Sequence, residues 1–188
     1  MKKCLSVGLM LVLMAGCASG IKVNNDYDPT ADFASYKQYA WYPSKQTVPA
    51  DAFISELVVQ RIERAIDSGL VAKNLQPVPA GKEQFQVRVY LVIEDKLDVQ
   101  TWNASYGYGR YNDPWGWNAG TETTITQYQQ GTLIIDFVDA KTHKLVWRGT
   151  AASRLRQESS PEERQARVNE VVTAILSQYP PMQTPEKQ

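Results

Sequence analysis

A single histidine limits the chemistry open to this chain. His143 is the only imidazole in 188 residues, so no two-histidine metal site can be assembled, and no serine or cysteine nucleophile elsewhere can have an imidazole partner. It stands beside Lys144 and two residues after Lys141 in a stretch with turn character, where a solvated turn residue is expected. Carboxylates remain, because glycoside cleavage needs only two of them facing each other across a cleft. Glu94, Asp95 and Asp98 fall near the end of one expected strand, and Asp136 and Asp139 near the end of another. Charges at strand ends ordinarily serve solvation, so no catalytic pair is assigned. Asn24-x-Asp26-x-Asp28 has the alternate spacing that opens a calcium loop, but Pro29 replaces the required glycine and Ser35 the bidentate glutamate. Gly107 and Gly109 lie among aromatics and precede no helix, so they form no phosphate cradle. No catalytic residue, metal ligand or cofactor site follows from these patterns, and the chain reads as no enzyme.

One segment does concentrate binding chemistry. Trp102, Tyr106, Tyr108, Tyr111, Trp115 and Trp117 place six aromatics in a glycine-punctuated stretch that also holds Arg110. A connection of this length, 102–120, is uncommon unless functional or disordered, and disordered segments are poor in aromatics. Three readings compete. Flat rings beside polar groups suit stacking on sugar rings; Trp and Tyr also suit a membrane or protein interface; or the loop folds back over the open face of its own sheet.

The elements that would carry this loop are legible from hydrophobic period. Residues 21–27 and 36–42 read as short strands around a polar turn at Asp28-Pro29. Residues 52–68 carry an amphipathic stripe, with Asp51 expected to cap its start and Gly69 its end. Phe85, Val87, Val89, Leu91 and Ile93 alternate with more polar neighbours, which is a strand with one buried face. A second long strand spans 122–139, with Gly131 read as a bulge, and the turn 139–144 leads into a further strand, 145–154. Ser160-Pro161-Glu162-Glu163 is a capping box with proline at the first helical position; the helix it opens carries Val168, Val171, Val172, Ile175 and Leu176, with Pro180-Pro181 as the stop. The expected class is α+β: a mostly antiparallel twisted sheet with two amphipathic helices packed on one face, a two-layer sandwich.

The N-terminus supplies an address. Lys2 and Lys3, an apolar run from Leu5 to Met14, and the small residues before Cys17 make a secretory signal too short to span a bilayer. Met14-Ala15-Gly16-Cys17 resembles a lipobox, which implies cleavage of residues 1–16 and acylation of Cys17. Two or more acyl chains hold a protein stably at a bilayer. Ala18, where inner-membrane retention would favour Asp, implies the outer membrane, facing the periplasm of a Gram-negative host. Cleavage removes Cys4, Lys2 and Lys3, leaving 172 of 188 residues, a charge of −2 and no cysteine but the lipidated one. Stability must therefore come from packing rather than disulfides, and the near-neutral chain offers no footprint for nucleic acid. Residues 17–180 read as one domain and 181–188 as a disordered tail.

Several residue groups are similar to a known family. The run Asp26-Tyr27-Asp28-Pro29, Asp32-Phe33, Tyr36-Lys37, Tyr39-Ala40-Trp41, the turn Asp139-x-x-Thr142-x-Lys144 and the following Leu145-Val146-Trp147-Arg148-Gly149 resemble bacterial lipoproteins catalogued as domain of unknown function 4136. Where that family usually has a glycine in the turn, this chain has His143. The resemblance implies fold and location, and no activity. The expectation is a non-catalytic envelope binding or assembly accessory protein, attached to the bilayer through Cys17. The alternative is a module that recognises peptidoglycan or another saccharide through Trp102, Tyr106, Tyr108, Arg110, Tyr111, Trp115 and Trp117. The sequence does not fix an oligomeric state.

Overall fold

Alternating polarity and two helix signatures generate the elements seen in the computed structural model, which describes residues 20–42, 55–103, 121–156 and 160–182. In chain order these are β1 (Lys22–Tyr27), β2 (Gln38–Trp41), α1 (Glu56–Val71), β3 (Gln76–Pro77), β4 (Phe85–Asn103), β5 (Thr121–Asp139), β6 (Leu145–Arg154) and α2 (Pro161–Leu176). The strands form one six-stranded sheet in the order β1-β6-β5-β4-β2-β3. Pairings β1/β6, β5/β6 and β4/β5 are antiparallel, whereas β2/β4 and β2/β3 are parallel. The chain is thus α+β with a mixed open sheet, which corrects the expectation of a mostly antiparallel one. The reason lies in the connections. Helix α1 intervenes between β2 and β4, and a strand, helix, strand crossover brings its two strands together in parallel.

β1 and β2, though close in sequence, occupy opposite sides of the sheet. Asp28 ends β1 by accepting hydrogen bonds from the Thr30 backbone N–H at 2.8 Å and the Thr30 hydroxyl at 2.6 Å. Buried Phe33 and Tyr36 then draw the chain into the core on its way to β2. Phe33 packs edge-on against Tyr27, Tyr36 and Tyr179 at centroid distances of 6.1, 6.1 and 5.9 Å.

Odd-numbered positions of β4 and β5 face the core: Phe85, Val87, Val89, Leu133, Ile135 and Phe137 are buried in one cluster with Ile62, Ile66 and Leu70 of α1 and Val172, Ile175 and Leu176 of α2. Rings continue through its centre, with Phe137 4.8 Å from Phe85, 4.7 Å from Trp147 and 4.9 Å from Tyr179. Gly149 is required here, because a Cβ would run into the Trp147 ring and the Ile175 Cγ2.

Three local expectations change. Gly131 is no bulge: the β4/β5 register passes unbroken through Ile93↔Gly131, and Ile125, Gly131, Leu133, Ile135 and Phe137 share one parity and so one face. The irregularity lies between Phe137 and Val138, where β6 inserts Val146 as an extra residue. Gly131 instead makes room for Leu155, whose Cδ2 would lie 2.7 Å from an added Cβ. Gly69 does not end α1; it lies inside the helix, where an added Cβ would sit 2.5 Å from Leu176 Cδ1, so its absent side chain permits close approach of α2. Asn74, at φ 62°, takes the left-handed position that closes the helix, and the Leu75 N–H returns to the Leu70 carbonyl at 3.1 Å. Strand β4 does not end near Glu94 but continues to Asn103. The expected Asp51 cap lies outside the described residues, and Ser55, the N-cap, makes no side-chain cap bond.

At α2 the capping box forms as the residues require. The Ser160 hydroxyl accepts from the Glu163 N–H at 3.1 Å, and Glu163 Oε2 accepts from the Ser160 N–H at 3.2 Å. Past α2 the Met182 carbonyl accepts from the Tyr27 hydroxyl at 3.4 Å; positions 183–188 of the expected tail lie outside the described residues. Among those residues no helix is long and apolar enough to cross a membrane.

Candidate functional site

Two neighbours are missing from the far half of the long hairpin. β6 pairs with β5 only over Gln130–Val138, and β2 pairs with β4 only over Phe85–Val87. Beyond that, residues 95–103 and 121–128 have no strand partner but each other among the described residues; at the root the Leu155 N–H reaches the Gln129 carbonyl at 2.8 Å, and Arg154 lies over the Tyr128 ring. At ~3.4 Å per residue this two-stranded ribbon extends roughly 30 Å from the body. A ribbon of two strands is marginally stable alone in water and is ordinarily covered by a third strand or a helix.

The ribbon is apolar where it is uncovered. Val99 and Ile125 are directly opposite each other. With Leu97, they continue the core-facing parity outward, yet they are 58, 63 and 67% exposed respectively. Trp102, at 68% exposure, stands on the other face near the ribbon's end. Of the aromatic set singled out in the sequence, Trp102 is the member described; Tyr106, Tyr108, Arg110, Tyr111, Trp115 and Trp117 lie outside the described residues, as does Cys17. Leu97, Val99 and Ile125 escaped the sequence reading. Their signal was the alternation set by Leu91 and Ile93, which persists through Leu97 and Val99 across the charged stretch Glu94–Lys96.

The carboxylates are dispersed. Glu94 pairs with Lys96 at 3.0 Å and Asp98 lies 3.8 Å from Arg154, both on the face away from the core, while Asp95 is on the opposite face. Asp136 is buried and takes a two-pronged contact from Arg148, Nε to Oδ1 and Nη2 to Oδ2, each 2.7 Å. Asp136 in turn holds the Arg148 guanidinium above its ordinary pKa. The register sets Asp26, Arg148, Asp136 and Arg88 in one row across four strands, alternating in sign. Tyr42 closes the row, with the Arg88 guanidinium 3.8 Å above its ring. Within the row the Asp136–Arg148 pair is closed, whereas Arg88 Nε is buried without a hydrogen-bond partner.

Asp139 organises the turn before β6. Burial works against its ionisation, but hydrogen bonds from the Thr142 N–H, the Thr142 hydroxyl, the Tyr36 hydroxyl and the Lys141 N–H outweigh it and hold the carboxyl below its ordinary value. His143 is exposed and adopts φ 58°, the conformation a glycine would take. Among the described residues no group of three or more His, Cys, Asp or Glu side chains could hold a metal ion.

A second apolar surface adjoins the ribbon's root. There a cleft of about 150 Å³ opens between Val58 and Ile62 of α1, Val168 and Val171 of α2, and Leu91 and Leu133 of the sheet, with Arg154, Arg156 and Arg167 also lining it.

The family-defining residues fall in the body rather than the ribbon: Tyr36 reaches Asp139, Tyr39 and Trp41 both donate to Asp67 Oδ1, at 2.7 and 3.1 Å, and Trp147 and Gly149 meet in the core. The pattern of the family described as Domain of unknown function (DUF4136) matches residues 23–181. The chain belongs to this family. Among curated proteins none matches the chain in sequence. A PDZ domain protein from Parabacteroides distasonis is similar in structure, with 16% identity and a TM-score of 0.50; the match covers 88% of this chain and 36% of that one, so the likeness concerns a part of the larger protein and its fold alone. The PelC dodecamer from Paraburkholderia phytofirmans matches at 14% identity and a TM-score of 0.44, over 84% of this chain and 95% of that one.

Proposed function

We propose that this DUF4136 chain is a non-catalytic accessory protein of the bacterial envelope, anchored through acylated Cys17 in the outer membrane, periplasm-facing, and that the outer half of the β4–β5 hairpin is its contact with another envelope component. The observation that carries the reading is the ribbon itself: Leu97, Val99 and Ile125 form an apolar stripe on two strands with no third strand or helix over them among the described residues. A stripe of this kind is stabilised when something covers it. Two layers, with both helices over one face, best accommodate the shared core, and they leave the ribbon outside the body.

The saccharide alternative is favoured by one feature, the exposed Trp102 indole at the entrance to the aromatic segment. Two experiments separate these readings. Replacing Cys17 with Ser is expected to abolish incorporation of labelled palmitate and release the protein from the membrane fraction; unchanged lipid labelling would remove the anchor. A photocrosslinker installed in cells at Val99 is expected to give adducts that one at Val71, exposed on α1, does not. If position 99 gives no distinctive adduct while muropeptides shift tryptophan emission in the wild type but not in Trp102→Ala, the saccharide reading replaces the first.

A further inference from the structure

Strand directions fix which end of the domain faces its anchor. β1 is antiparallel to β6 and β6 to β5, so β1 runs in the same direction as β5, from the ribbon end of the sheet toward its base. The register chain Lys22↔Ala152↔Thr132↔Val92 places the start of β1 at the level where the ribbon leaves the body. The chain that precedes Lys22 therefore starts from the ribbon end.

Length then decides the orientation. Four residues separate Cys17 from Lys22, five Cα–Cα steps that span at most about 18 Å when fully extended. From the level of Val92 the hairpin continues eleven residues to Asn103, about 36 Å at strand rise. Held upright, the ribbon would pass the farthest possible position of the anchor by roughly 18 Å, more than half of the ~30 Å hydrocarbon thickness. Inverting the domain offers no escape, because Phe85 at the base lies seven residues from Val92, about 23 Å of strand and beyond the tether's reach.

We infer that the outer β4–β5 hairpin is a second membrane contact, lying on or dipping into the bilayer interface, with Leu97, Val99 and Ile125 as the side chains that meet lipid. This names the partner of the proposed contact surface as the bilayer itself, and it rests on Cys17 being the anchor. The residue chemistry fits. Aliphatic side chains on one face of a ribbon bury favourably at the acyl boundary. Glu94 with Lys96 and Asp98 with Arg154 fall on the face opposite Leu97, Val99 and Ile125; the one charge on the aliphatic face, Asp95, stands at the ribbon's root, so the stretch beyond it can enter without dragging charge into lipid.

The test uses the acylated full chain reconstituted in vesicles of phosphatidylethanolamine and phosphatidylglycerol. Because acylation blocks Cys17, a single introduced cysteine can be labelled with an environment-sensitive fluorophore in each of Val99→Cys, Ile125→Cys and, at the base, Ser177→Cys. Expected are blue-shifted emission and strong quenching by spin-labelled lipid at 99 and 125, with neither at 177. Water-like emission at all three sites, in protein that still floats with the vesicles, overturns the second contact while leaving the anchor intact. Failure of the acylated protein to float overturns the anchor and with it the inference. Replacing Leu97, Val99 and Ile125 together by Ser tests the same surface without a label: in the Cys17→Ser background, weak residual binding to vesicles is expected to disappear, and binding unchanged by the substitutions counts against the proposal.

Discussion

The two halves of the β4–β5 hairpin use one alternation and reach opposite outcomes. In the inner half, Phe85, Val87, Val89, Leu133, Ile135 and Phe137 are buried beneath both helices' side chains. In the outer half, Leu97, Val99 and Ile125 repeat the same parity and stand in solvent. Period-two patterning therefore tells which face of a strand is apolar, whereas coverage depends on how far neighbouring elements extend. β6 stops pairing at Gln130, and the hairpin does not.

That contrast can be broken most severely at the ring cluster. Phe137→Ala, which vacates contacts with Phe85, Trp147 and Tyr179, is expected to cost about 3–5 kcal/mol in urea unfolding. Ile125→Ala, on the outer half, should change stability by no more than about 0.5 kcal/mol. Similar losses at the two sites would mean that the ribbon is covered within the protein itself. The next largest effect concerns the two glycines. Gly149→Ala drives a methyl into the Trp147 ring and Ile175 and should cost about 1–3 kcal/mol. Gly131→Ala meets only the end of the Leu155 side chain, which can swing aside, so its chemical-denaturation midpoint should move less.

A smaller and body-specific effect follows from the tyrosines. Burial first, and then hydrogen bonds to Asp139 and Asp67, raise Tyr36 and Tyr39 well above their ordinary value of 10.0. In the unfolded chain they ionise near the ordinary value, so their contribution is complete below about pH 10 and declines as pH rises toward the raised folded values. Melting temperature should accordingly fall above about pH 10, and Tyr39→Phe should shallow that fall. A pH-independent melt there would remove the hydroxyl contacts from the account. Smallest of all, His143→Gly should raise stability by up to about 1 kcal/mol, relieving a side chain held at positive φ. A loss would show that the imidazole contributes at the turn.

What could be read in advance was local. The Ser160 capping box and the Asp139–Lys144 turn each depend on groups a few residues apart, and their sequence patterns state the outcome. Neighbour choice could not be read this way: the place of β2 beside β4 is held by Tyr36, Tyr39 and Trp41, whose partners Asp139 and Asp67 lie far along the chain. Gly131 was misread as the point where apolar parity changes, although Ile125 before it and Leu133 after it share one parity and one face. The charges Glu94, Asp95 and Asp98 resembled a strand end; they mark the stretch where the hairpin leaves its neighbours. Of the binding set, Trp102 was legible from side-chain type, while the aliphatic stripe became apparent only when the extent of β6 was known.

The pairing of β1 with β6 has a consequence for how the molecule is built. Asn25 opposes Gly149 and its side-chain amide donates to Gln178 at 3.0 Å, so the first strand is completed by the last third of the chain. The β5–β6 pairing closes through a short turn and can form early, whereas β1 waits for partners more than a hundred residues away. During synthesis β1 thus remains without its strand partner until β6 has been made. Because β1 is also an edge strand, it can dock onto a sheet already formed by β4, β5 and β6.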